Sequence, residues 1–270
     1  MLNDVVIGQY FPGNSFIHKM DPRTKIIALT IFIFTVFLAN DYLGYLILTI
    51  FTFLIAVASK VTMRMIFQAL KPLWFIILFT GLIHLFTTNG LIVWEWGNLT
   101  ITKEGIRQAI FMSLRLGLLI LMSTILTLTT SPIALTDGIE SLLNPLKKIG
   151  LPVHELAMMM TIALRFIPTL LEETDRIMKA QQARGADFSS GNILKKAENI
   201  IPILVPLFIS AFRRADELAI AMEARCYRGG YGRTRMNELK VSSVDYVAGS
   251  VIIILLALLI YLNFCGVKWI

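Results

Sequence analysis

Charge is scarce in this 270-residue sequence: 16% of its residues are charged, against 56% that are hydrophobic. That balance excludes an ordinary soluble domain, because one compact core cannot hide apolar runs of this length and number. Cysteine and histidine are scarcer still, at two and three residues. Cys226 falls in the polar half of the chain and Cys265 at the far end of the last apolar run, so no disulfide is expected. His154-Glu155 is not followed by a second histidine four residues on from the first, and three scattered histidines make a poor metal site. No glycine-rich loop ending in Gly-Lys-Ser/Thr is present to cradle a nucleotide, and no catalytic set emerges, so the chain reads as non-enzymatic, with no cofactor of its own. The first 22 residues hold no long apolar run behind a basic start, so no cleaved signal is expected.

What is present is hydrocarbon. Residues 24–59 would make one helix of roughly 50 Å at ~1.5 Å per residue, too long for one crossing of a ~30 Å layer. Asn40-Asp41 therefore marks a turn between two spans. Residues 72–88, 105–129 and 244–264 supply a third, fourth and fifth. Between the third and fourth, LIVWEW and LTIT flank Gly97-Asn98 with partial alternation, which predicts a small hairpin. Trp94 and Trp96 suit an interfacial belt.

A net charge of +7 would suit nucleic acid or basic cytoplasmic loops, and its distribution favours the second. With the N-terminus inside, the basic residues divide 21 against 3, inside to outside, with Arg115 within span four. The C-terminus then lies outside. Residues 131–243 form a long cytoplasmic region with a helical pattern, separating segment 1–130, with four spans, from the last span in 244–270. Three helices are expected there. The first covers 132–149, with Ser131-Pro132 as cap and first turn and Gly150-Leu151-Pro152 as its end. The second covers 153–183 and the third 192–225, each beginning apolar and ending polar. Pro168, Pro202 and Pro206 are expected to kink or interrupt them.

The ends of the second and third helices repeat one pattern at an offset of 41 residues, Asp-x4-Ala-x2-Ala-Arg. It is Asp175, Ala180, Ala183, Arg184 in one and Asp216, Ala221, Ala224, Arg225 in the other. The paired alanines share a helix face and leave room for close approach, while the arginine offers five donors in a planar fork. Gly185 permits the helix to stop, and a helix C-terminus stabilises a cation. On spacing alone these arginines are equally well read as juxtamembrane cations held by anionic head groups.

The sequence resembles the transmembrane T component of energy-coupling factor (ECF) transporters, which carries two Ala-Arg-x motifs on long cytoplasmic coupling helices. Ala183-Arg184-Gly185 matches the first motif. Ala224-Arg225-Cys226 matches the second in Ala-Arg, with Cys in place of a small residue, often glycine. GQYFPGNSFIHKMDPRTK near the N-terminus resembles the family's opening segment, and the likeness covers nearly the whole chain. Read physically, Asp21 caps the first span, Pro22 suits its first turn, and Arg23 and Lys25 anchor it at the inner interface. Core packing is the expected use of Tyr10 and His18.

The resemblance implies an all-α, polytopic helical membrane protein with about five transmembrane helices and three long cytoplasmic coupling helices. It would sit in a bacterial or archaeal cell membrane as the scaffold of an ATP-driven vitamin importer. Its partners would be two ABC-type ATPase subunits, which bind the ATP, and a membrane-embedded substrate-capturing S component. By the same resemblance Ala183, Arg184, Gly185, Ala224, Arg225 and Cys226 would dock the ATPases. Two other readings remain open, a lipid-surface scaffold without nucleic acid and a secondary carrier without ATPases. A proton-coupled carrier would need ionisable groups in its spans, and the interiors of the five hold no Asp or Glu. Arg115 is expected to snorkel or to bond a backbone carbonyl, His84 to be a hydrogen-bonded packing residue, and Met158-Met159-Met160 to pack adaptably.

Overall fold

The first helix starts where local chemistry says it must. The Asp21 carboxylate accepts the Arg23 N–H at 2.9 Å and Pro22 opens the first turn of α1 (Pro22–Leu38). This structure, a computed structural model, describes residues 10–96, 99–186, 193–229 and 239–264. Cys265, Asn98 and the terminal residues lie outside them. Chain contacts divide the protein into two units, Gln9–Ile139 with Glu238–Ile270, and Met1–Gly8 with Glu140–Asn237.

In the first unit α1 is followed by α2 (Tyr42–Ala58), a short α3 (Met63–Leu70), α4 (Trp74–Thr87) and α5 (Lys103–Thr129), and closed by α9 (Ser243–Phe264). The turn at Asn40-Asp41 falls where expected. The third span begins two residues later than expected, because α3 and the turn after it take residues 63–73. Phe32 and Val36 of α1, Tyr45 and Leu48 of α2, Leu118 and Ile125 of α5, and Ile252 and Leu259 of α9 form one core. Phe34, Phe53, Phe75 and Ile254 face outward. Such a surface suits a hydrocarbon solvent, in which every backbone group must be satisfied within its own helix. Buried hydroxyls obey the same rule: Thr35, Thr52 and Thr129 each donate to the carbonyl four residues back at 2.7 Å.

Between α4 and α5 the expected hairpin forms, with β1 (Ile92–Trp96) antiparallel to β2 (Leu99–Thr102) and a bulge between Ile92 and Trp94. Trp94 is half exposed, and the side chain of Trp96 lies outside the described residues. Thr102 ends the hairpin and starts α5, accepting from Gly105 N–H at 3.0 Å and donating to Thr88 O at 2.7 Å.

Arg115 and Lys25 of this unit both find hydrogen-bond partners inside it. Arg115 donates to the Tyr45 hydroxyl at 3.1 Å and to Ala39 O at 3.4 Å, the carbonyl bond expected of it. Lys25 overturns its expected role. It is 6% exposed rather than an interfacial anchor, and its amine donates to Thr129 O at 2.9 Å and Thr130 Oγ1 at 3.0 Å. Beside it Asp245 accepts from the Asp21 N–H, the Ser242 N–H and the Ser242 hydroxyl at 2.8–2.9 Å. The starts of α1 and α9 and the end of α5 are thereby tied together. Nor does Tyr10 or His18 pack in a core. Tyr10 is exposed, while the His18 ring bridges Ser15 Oγ (2.6 Å) and Phe11 O (3.0 Å), stapling the segment that precedes α1. The His84 carbonyl accepts from Thr88.

Of the three helices expected in 131–243, α6 (Pro132–Leu143) opens as predicted, with Ala134 N–H donating to Ser131 Oγ at 3.2 Å. It ends earlier than expected, since Asn144–Ile149 tighten into a 3-10 turn. Gly150 then stops it at φ +88°. The other two are α7 (Val153–Ala183) and α8 (Ile193–Ala224). Pro168, Pro202 and Pro206 do not interrupt them. Each costs its helix one N–H donor, and helices in or near a membrane tolerate that loss. By length and composition α5, α7 and α9 are able to cross a bilayer, with α2 and α4 shorter and apolar. Met159 and Met160 on α7 are exposed.

Candidate functional site

Both arginines are caps. At the end of α7, Gly185 N–H donates to Gln182 O at 2.9 Å and Ala186 N–H to Gln181 O at 3.0 Å. At the end of α8, Cys226 N–H donates to Glu223 O at 2.8 Å and Tyr227 N–H to Met222 O at 3.0 Å. These are two copies of one Schellman ending, in which the residue after the cap turns left-handed so that two orphan carbonyls find donors. The left-handed residues are Gly185 at φ +91° and Cys226 at φ +54°. The departure of Cys226 from a small residue therefore leaves the turn unchanged, and the cysteine carries the strain that glycine avoids.

Ala183, Arg184, Ala224, Arg225 and Cys226 are all exposed, as are the partnering alanines Ala180 and Ala221. Each tip thus pairs a small-residue surface with a forked cation at the negative end of a helix. At the first tip Asp175 is held by Lys179 at 2.7 Å. Around the second, Met158, Ile162, Leu218, Met222 and residues 225–229 line a pocket of about 490 Å³.

That pocket also fixes the direction of the helices. It brings positions 158 and 162 of α7 to positions 218 and 222 of α8, whereas Glu173, further along α7, meets Ser210 and Arg214, earlier in α8. The helices are antiparallel. Arg184 and Arg225 consequently lie at opposite ends of the pair, up to ~33 Å apart at ~1.5 Å per residue. The structure joins them through one scaffold rather than into one pocket.

The residues at the crossing escape sequence reasoning. Glu173 accepts from Ser210 Oγ at 2.6 Å and from Arg214 Nη2 at 2.8 Å, partly buried on both sides. Their signal was present, since 173 and 214 differ by the same 41 residues as the two tips.

A helical unit with an apolar exposed surface and an antiparallel pair with matched cationic ends define a helical membrane protein. The family model for CbiQ, the cobalt transport protein, matches residues 13–237, and the chain belongs to that family. It is 62% identical over 263 residues to the energy-coupling factor transporter transmembrane protein EcfT of Acidaminococcus fermentans, covering 97% of this chain and 98% of that one. To the protein of the same name in Bacillus subtilis it is 51% identical over 264 residues, covering 97% and 100%. To that of Lactococcus lactis subsp. cremoris it is 48% identical over 260 residues, covering 96% and 98%. The chain is accordingly a multi-pass component of a transport complex with other subunits.

Proposed function

We propose that this chain, the transmembrane component of an energy-coupling factor transporter, couples two ABC-type ATPase subunits to a substrate-capturing S component in the membrane. Arg184 docks one ATPase and Arg225 the other, each with its flanking Ala183 and Gly185 or Ala224 and Cys226. The carrying observation is that two helices of one antiparallel pair end in the same arginine-capped Schellman turn, pointing to opposite ends. When ATP draws the ATPases together, the tips follow and the helices carry the displacement. The exposed apolar faces of α7 and α8, among them Leu156, Met160, Ile201 and Phe208, hold the S component by nondirectional packing that tolerates sliding. The chain itself binds neither ATP nor the cargo, which is a micronutrient of the vitamin class selected by the S component, and it catalyses no reaction. The distribution of basic residues supports a cytoplasmic N-terminus and coupling region in the cell membrane, with the C-terminus outside.

Truncating a buried interfacial arginine commonly costs ~2–5 kcal/mol. Arg184→Ala with Arg225→Ala is expected to strip the ATPases from a co-expressed, gently solubilised complex and to abolish ATP-dependent uptake. Retention of wild-type stoichiometry together with uptake would refute the docking role. Transport by the chain reconstituted alone would instead establish a secondary carrier, and salt-sensitive vesicle binding without protein partners a lipid-surface scaffold.

A further inference from the structure

We propose that the Glu173–Arg214 ion pair lies on a local two-fold axis relating α7 to α8 and serves as the fulcrum on which both arginine-tipped arms turn together. The geometric part stands alone; its use in transport rests on the docking role given to Arg184 and Arg225.

In an antiparallel pair related by a two-fold axis, a residue meets its own equivalent only where the axis passes, and every other contact occurs twice with the partners exchanged. The tips set the equivalence at 41 residues. Applied to Glu173 it gives Arg214, and these two are in contact at 2.8 Å. Three further equivalent pairs match in burial. Ile162 corresponds to Ile203, Phe166 to Leu207 and Ile177 to Leu218, and all six are buried or half-buried. The neighbouring equivalent pair, Glu172 and Arg213, also has opposite charges, but both residues are exposed. Facing excludes that neighbour, and the direct contact between equivalents marks 173 with 214 as the crossing point.

The chemistry suits a pivot. Apolar side chains on either side of the crossing attract without direction and allow rotation. A charge-assisted bond forbids sliding along the helices, since each residue of slip is ~1.5 Å and soon breaks it. Ser210 occupies the second carboxylate oxygen, so Glu173 stays oriented while the arms turn. Arg184 and Arg225 stand 11 residues beyond the crossing on their own helices. That gives two levers of ~16 Å, so a turn of about 10° displaces each tip by ~3 Å. Equal levers deliver equal displacements to both docking partners.

The test uses the full chain in nanodiscs, with Cys265→Ser and spin labels on Cys226 and on Glu155→Cys, which stands about one turn before Met158, a lining residue of the pocket at the α8 tip. The wild type is expected to give one narrow distance distribution. Glu173→Gln, which keeps shape and the Ser210 contact, and Arg214→Met should each widen it by about 3 Å, the displacement of a loosened lever. The exchange Glu173→Arg with Arg214→Glu should restore the narrow distribution. Unchanged widths in both single variants, or an exchange as broad as they are, would overturn the fulcrum. No ATPase is present in this measurement, so its outcome is separate from that of the docking experiment.

Discussion

Gly185→Ala and Cys226→Gly are opposite edits of one turn, and they should move the two tips in opposite directions. Gly185 has φ +91° and nothing lies within 4 Å of where a Cβ would stand, so an added methyl meets no neighbour and its cost is purely conformational. An L-residue in left-handed backbone costs about 1–2 kcal/mol relative to its right-handed alternative. Part of that is recovered because alanine has less freedom to lose on folding, leaving a net cost of about 1 kcal/mol. At ~1.4 kcal/mol per factor of ten this is about a fivefold change in opening of the last turn. The reporters are the amides that close each turn, Ala186 on α7 and Tyr227 on α8. In hydrogen exchange the Ala186 amide should exchange about fivefold faster in Gly185→Ala, and the Tyr227 amide about fivefold slower in Cys226→Gly. If Ala186 is unmoved, or Tyr227 speeds up, the two ends do not share one cap and the equivalence of the tips fails with it.

Asp245→Ala removes the acceptor of three hydrogen bonds at the buried start of α9 and should lower stability by about 2–4 kcal/mol, read as a fall in melting temperature of the detergent-solubilised protein. Two glycines of α5 should respond with opposite signs in the same assay. A Cβ at Gly105 would stand 2.9 Å from the Leu85 backbone oxygen, so Gly105→Ala should cost about 1–3 kcal/mol by forcing α4 away from α5. Gly117 has open space around it within a helix, so Gly117→Ala should stabilise by about 0.5–1 kcal/mol.

Features governed by neighbours in sequence were legible in advance. Asp21 and Ser131 announce helix starts, Gly150 and Gly185 announce ends, and an all-helical membrane fold follows from runs of hydrocarbon. The tip pattern was visible too, because a cap occupies only a few consecutive residues. Lys25 was misread because its partners, Thr129 and Thr130, lie more than a hundred residues away, and a lysine beside an apolar span ordinarily reaches for the interface. The prolines do not break α7 or α8, which run on past the loss of single donors. Nor was the crossing foreseen. An offset of 41 residues says that two stretches are alike, but which copy of a repeated position touches the other is a property of the axis, and an axis exists only in three dimensions.

The bond between Asp21 and Asp245 joins residues 224 apart in the chain, and it has a meaning in time. When α1 and α5 have left the ribosome, α9 is still unmade: residue 245 emerges 115 residues after Thr130. At ~5–20 residues per second that delay is roughly 6–23 s. Throughout it the amine of Lys25 and the N-terminus of α1 lack their closing carboxylate, while the whole of α7 and α8 is being synthesised. The last helix therefore completes the oldest one, and a chain truncated before Ser243 would leave its opening segments waiting for a partner that never arrives.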